Sequence, residues 1–255
     1  MQLITDTWTM ARRSLRHITR SPDTIITVVM MPIALLLLFV YVFGGALGQQ
    51  TGGIKYVDFL TPGIIIMTVI SGIAYAAYRL SNDMQSGIIN RFRTMPVAPS
   101  SILGGQAASS TLSNLFSSLL VLAVAFAIGF RSHAGLTEWL IFAGLVALFT
   151  LATTWMAIFF GLLAKSAEGA GSFSYILMLL IFISPSFVPT ASMTSVLRSF
   201  ANNQPLTPIV ETMRSLLTNG MPGDKAWIAL AWCVGILVIF YLGSLKLYRS
   251  KTVAA

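Results

Sequence analysis

Apolar residues gather into six long runs, at positions 24–43, 59–78, 106–130, 139–164, 171–188 and 226–245, and none of them contains Asp, Glu, Lys or Arg. A helix needs about 20 such residues to cross the hydrocarbon core of a bilayer. Five runs reach that length; the fifth has 18 residues and ends in SPSFVP, with Pro185 and Pro189. No period of 20–50 residues recurs, and no Gly/Ser/Pro-rich linker divides the chain. The pattern predicts an all-α integral membrane protein, residues 1–255 forming a single domain of six transmembrane helices.

The segments between the runs have their own periodicity. In residues 1–23, Ile4, Trp8, Ala11, Leu15 and Ile18 fall on one helical face, while Arg12, Arg13, Arg16, His17 and Arg20 take the other positions. Apolar stripe plus basic face is the signature of an amphipathic helix lying in the membrane interface. It serves either as a simple anchor or as a lever for a cytoplasmic partner. The loop 80–105 predicts a short helix over 81–93, with Ser81 or Asn82 as N-cap and Asp83 in its first turn. Ile88, Ile89 and Phe92 form its apolar side beside Arg91 and Arg93, and Pro96 and Pro99 end it. Such a patch fits a docking surface or a contact with lipid headgroups. In residues 189–225, Met193, Val196, Leu197 and Phe200, and then Ile209, Val210, Met213, Leu216 and Leu217, mark two amphipathic helices too short to cross. Thr207 is placed to cap the second and Pro208 suits its first turn, giving a re-entrant or interfacial hairpin before the last span.

Composition agrees. Charged residues make up 9% and hydrophobic residues 56%, against about 25% charged in a soluble domain. That excludes a water-soluble enzyme and a disordered chain. The net charge of +8 is scattered between apolar runs and forms no basic stripe, so no nucleic-acid partner is expected. With both termini cytoplasmic, eleven Lys and Arg lie inside against five outside, the bias of an N-in, C-in protein of the cytoplasmic membrane. The first run is longer than the 7–15 residues of a signal-peptide core, so it reads as a retained span. Cys233 is the single cysteine, which excludes an intrachain disulfide or a cysteine-based zinc site.

Catalytic and energy-coupling residues are scarce. His17 and His133, the two histidines, lie outside the runs, so neither can activate an intramembrane nucleophile. Asp58 and Glu138 only border the runs, which counts against an ion-coupled carrier. AKS at 164–166 lacks the glycines of a phosphate loop. No cofactor is expected on this chain, and energy for uphill transport must come from another one.

In the loop, Asp83, Gly87, Arg91, Arg93, Pro96 and Val97 precede Gly104; FLTPGIII occupies 59–66 and NQPLTPIVETMR occupies 203–214. With these motifs the chain resembles the permease subunit of type-2 ATP-binding-cassette exporters, in particular the daunorubicin-resistance-like branch. Met84 and Gln85 replace the Arg-Glu often found in that family after the Asp. The resemblance implies a coupling helix carrying Asp83, Gly87, Ile88, Arg91, Phe92, Arg93 and Pro96 against a separate ATPase, and an interfacial helix with Trp8, Arg12, Arg13 and Arg16. It implies two ATPase copies holding ATP and Mg, and a second permease copy, the same chain or a related one. The transported molecule would be a lipophilic drug, toxin or lipid, with a polysaccharide or lipid-linked glycan as the alternative. Carried over by position, Met67, Ser71, Tyr75, Tyr175, Met178 and Phe182 would line the path. Asn114, beside a stripe of Gly105, Ser109, Ser113 and Ser117, serves either helix packing or that path.

Overall fold

The computed structural model describes residues 26–51, 53–85, 99–219 and 221–253. The predicted interfacial helix (1–23) and most of the predicted coupling helix (86–98) lie outside the described residues. All regular structure among the described residues is helical.

The first apolar run is one continuous helix that alternates between π and α hydrogen bonding. A π-helical turn at Ile26–Met30 leads into α1 (Met31–Leu38), and a second one at Phe39–Phe43 leads into α2 (Gly44–Leu47). Then follow α3 (Tyr56–Gln85), α4 (Pro99–Ala127), α5 (Leu136–Leu163), the single turn α6 (Ala167–Ala170) and α7 (Phe173–Ile183). The chain continues through α8 (Ser195–Asn203) and α9 (Leu206–Asn219) and ends in α10 (Ala226–Val253). Among the described residues, five apolar segments are long enough to cross a membrane, and α6–α7 forms a shorter apolar segment.

Three local expectations change. Ser81 and Asn82 do not cap a new helix, because α3 runs through them to Gln85. Ser81 Oγ instead donates to the Ser166 carbonyl, and Gln85 Nε2 donates to Ser81 Oγ one turn back. The run 171–188 is not one continuous helix. At 11 residues α7 rises about 16 Å, half the hydrocarbon thickness. Ser184 is extended because it precedes Pro185, whose ring disfavours helical geometry in the residue before it. Finally, α9 starts at Leu206, and Thr207 Oγ1 donates back to the Ala201 carbonyl rather than capping from outside. Two short helices, α8 and α9, occupy this segment. At the far end of α4, Gly129 at φ 110° closes the helix, and the Phe130 N–H bonds the Ala125 carbonyl, as in a Schellman cap.

α3 is the axis of the bundle. It packs against α4, α5, α6, α7, α9 and α1, and it is buried over almost its whole apolar length. α10 lies outside α5 and α9 and presents Trp227, Ile239 and Leu242 outward. Exposed apolar side chains on the outer helices are stable where the solvent is lipid. Because the surrounding lipid tails are as apolar as leucine, helices gain little from apolar burial alone, and close approach of small residues does the packing. A Cβ at Gly72 would lie 1.6 Å from Asn114 Oδ1, so Asn114 of α4 seats directly on α3 only because residue 72 has no side chain.

Gly72→Leu must displace Asn114, an overpacking that costs about 1–3 kcal/mol. The thiol of Cys233 is buried and is the chain's only one, so a thiol-reactive dye reports unfolding. Gly72→Leu should lower the melting temperature of the purified protein by several degrees. Gly235→Ala, whose Cβ meets nothing within 4 Å, should leave it unchanged or raise it slightly.

Candidate functional site: the two polar junctions of α3

The N-terminal end of α3 is held by a buried arginine. Arg214 of α9 is 9% exposed. Its Nε donates to the Phe59 carbonyl at 3.0 Å and its Nη2 to the Pro185 carbonyl at 2.5 Å. The guanidinium lies 3.6 Å from the centroid of the Phe59 ring. One cation therefore joins α9, the first turn of α3 and the segment after α7. Burial lowers its pKa from 12.5 to about 10, and Glu211, three residues earlier, acts in the opposite direction. It is charged at neutral pH.

Neighbouring contacts serve the same joint. Tyr56 Oη donates to the Phe187 carbonyl, and Gln204 Nε2 donates to the Leu180 carbonyl at the far end of α7. Asp58 Oδ1 accepts from the Arg131 N–H, while the Leu217 carbonyl accepts from Ser132 Oγ and the His133 N–H. A Cβ at Gly63 would meet Ser186 Cβ at 2.7 Å, so the segment after α7 lies directly on α3.

At the other end of α3, Gln85 Nε2 also reaches the Lys165 carbonyl at 3.5 Å. Ser166, whose carbonyl accepts from Ser81, uses its own Oγ to cap α6 by accepting from the Gly169 N–H. The last turn of α3 is thus fastened to the α5–α6 connection just before residues 86–98. Asp83 lies in that turn, half-buried.

Of the other predicted site residues, Trp8, Arg12, Arg13, Arg16, Gly87, Ile88, Arg91, Phe92, Arg93 and Pro96 lie outside the described residues. Met67 and Asn114 are enclosed by the chain's own helices. Ser71 and Tyr75 are half-buried on α3; Ser71 Oγ donates to the Met67 carbonyl, and Tyr75 lies under the Arg79 guanidinium. Tyr175 and Phe182 are on the exposed face of α7, with Met178 half-buried. The set is therefore split between the bundle interior and the outer face of α7. Among the described residues, no three His, Cys, Asp or Glu side chains converge to hold a metal ion.

Against known proteins, the profile of the "ABC-2 type transporter" family matches residues 5–218. The chain belongs to the ABC-2 type transporter family. It is 27% identical to the daunorubicin resistance ABC transporter permease protein DrrB1 of Streptomyces coeruleorubidus, over 97% of this chain and 87% of that one. It is 26% identical to the putative transport permease ycf38 of Porphyra purpurea, over 86% and 76%. The probable doxorubicin resistance ABC transporter permease protein DrrC of Mycobacterium tuberculosis is 23% identical, over 92% and 85%. The chain is thus a multi-pass membrane permease subunit and not an enzyme, and its family implies an ABC ATPase partner.

The role of Arg214 is absent from the sequence-based site, although its position gave a signal. It stands four residues after Val210 and three before Leu217, on the apolar stripe of α9, where a free arginine has no place.

Arg214→Gln loses the ring contact and leaves a buried carbonyl unpaired, a change worth about 1–3 kcal/mol or more. Arg214→Lys keeps the charge without the fork that spans two carbonyls. Thermal unfolding should rank wild type above Arg214→Lys and Arg214→Lys above Arg214→Gln. A glutamine variant as stable as wild type contradicts the joint.

Proposed function

We propose that this chain is the membrane-embedded half of an ATP-driven exporter for a lipophilic drug, toxin or lipid. It moves its substrate out of the cytoplasm or the inner leaflet. Hydrolysis of ATP, with its Mg, occurs on a separate ATPase subunit present in two copies beside two permeases. The chain lies in the cytoplasmic membrane with both termini inside, so the Arg214 junction faces outward and the Ser81–Gln85 junction faces the ATPase.

The observation that carries this reading is the continuity of α3. It is one helix of 30 residues, about 45 Å long, embedded in the bundle and gripped by polar contacts at each end. Its last turn leads into residues 86–98, which hold the motif that resembles a coupling helix. A push on that segment is therefore delivered to a rigid shaft, not to a flexible loop. At the far end the shaft carries the segment after α7 and the α8–α9 pair, through Arg214, Tyr56 and the close contact at Gly63. Relatives described by daunorubicin and doxorubicin resistance support a lipophilic substrate. The exposed face of α7, with Tyr175, Ile176, Leu179 and Phe182, is an apolar surface that fits a second permease or the substrate.

The purified chain alone should hydrolyse no ATP. With its ATPase co-expressed, Arg91→Glu and Phe92→Ala should each abolish most of the daunorubicin-stimulated hydrolysis while leaving assembly in the membrane intact. Stimulation at the wild-type level in both variants would remove the coupling role from 86–98. Transport into proteoliposomes that needs no ATPase and collapses with an ionophore would replace the exporter by an ion-coupled carrier.

A further inference from the structure

α4 changes character along the side that faces the bundle. Its C-terminal half gives Val121, Leu122 and Ala125 to the main apolar core. Its first turns give Leu103 and Ala107 to a second, smaller core with Leu80 of α3 and Trp155 of α5. Between the two, every buried position from 108 to 120 is polar: Ser109, Ser110, Asn114, Ser117 and Ser118. Asn114 lies near the middle of the span Leu103–Ala127, with roughly 17–20 Å of helix on either side of it.

Two groups in this seam lack what their neighbours have. Thr61, Thr68, Thr150, Thr153 and Thr154, buried in the same bundle, each donate to the carbonyl four residues back. Ser118, 5% exposed, passes over the Asn114 carbonyl, and its Oγ has no hydrogen-bond partner among the described residues. Asn114 is 2% exposed; its Oδ1 is pressed into the notch at Gly72, and its Nδ2 is unpaired as well. Positions 114 and 118 are one turn apart on one helical face, with Cβ atoms about 5–6 Å apart. An unpaired amide beside an unpaired hydroxyl is costly in the hydrocarbon layer, where no bulk water relieves it.

We infer that this seam is a binding site for a water molecule, which bridges Asn114 Nδ2 and Ser118 Oγ. The amide N–H donates to the water oxygen, and the water donates to Ser118 Oγ. The Asn114 carbonyl, passed over by the serine hydroxyl, has a lone pair for the second water hydrogen. Three contacts are the usual number for a buried water. The chemistry of the seam selects this occupant. An amide N–H turns a metal cation away, and two neutral groups hold no desolvated anion. Neither α4 nor the stretch 59–78 of α3 carries a charged residue. Side chains enclosed as closely as Asn114 and Ser118 admit nothing the size of a transported drug. The polar layer is thus a hydrated seam between two dry cores.

The test is water-edited solid-state NMR on the full-length chain in lipid bilayers, with only asparagine isotope-labelled. The chain has six asparagines, and Asn114→Ala identifies the side-chain amide signal of residue 114. In wild type, magnetisation should pass from water to that amide as it does to the exposed Asn202 and Asn203, despite its depth in the membrane. Ser118→Ala removes only the hydroxyl; it should lose most of the transfer to Asn114 while Asn202 and Asn203 keep theirs. It should also lower the melting temperature in the Cys233 thiol assay, whereas removing an orphaned hydroxyl leaves it unchanged or raises it. An Asn114 amide that receives no magnetisation from water overturns the proposal. So does transfer unaltered in Ser118→Ala, or a melting temperature that stays or rises. If Asn114→Ala fails to fold, the signal that shifts in Ser118→Ala identifies the amide. Neither readout needs ATP, a partner or transport, so failure of the exporter reading leaves the result standing.

Discussion

A guanidinium removed from water must keep its donors occupied, because an unpaired buried charge costs several kcal/mol. In this chain Arg214 meets that constraint with the Phe59 and Pro185 carbonyls and the Phe59 ring. The consequence is architectural. α9 cannot leave the bundle, nor can the segment after α7 move away from α3, without stranding the charge or moving the whole group. The short helices near the N-terminal end of α3 are therefore a cap tied to its first turns. Tyr56, Gln204 and the close approach at Gly63 add to the same tie.

The rest of the bundle follows from what a bilayer rewards. Lipid offers no hydrophobic gain for bringing helices together, so contact depends on close packing and on polar groups satisfied within the protein. α3 supplies the surface that allows it, with Gly72 under Asn114 of α4 and residue 63 under Ser186. The threonines of α5 satisfy themselves locally, Thr150, Thr153 and Thr154 each donating to a carbonyl one turn back. The large aliphatic and aromatic side chains of α1, α4 and α10 are left to face outward.

Much of this was legible from hydrophobic spacing. Runs without charge gave the long helices, because burying backbone in lipid forces helical pairing. The α8–α9 hairpin was visible because its apolar stripes are too short to cross. Local sequence misjudged where helices end. Ser81 and Asn82 are good N-caps in isolation, yet α3 continues through them because Ser81 and Gln85 find partners on the α5–α6 connection. The run 171–188 is apolar throughout, but Pro185 stops α7 at Ile183, and hydropathy does not register that. The tie between positions 59, 185 and 214 joins segments 155 and 29 residues apart, a distance over which periodicity carries no information. Only the presence of an arginine on an apolar stripe hinted at it.

Hydrogen–deuterium exchange on the full-length chain tests most directly whether Arg214 holds these segments as one body. In Arg214→Gln, residues 56–63, 184–189 and 206–219 should lose protection together and by similar factors, while the α5–α10 contact keeps its own. Loss of protection confined to 206–219, with the start of α3 and the segment after α7 unchanged, would contradict the joint.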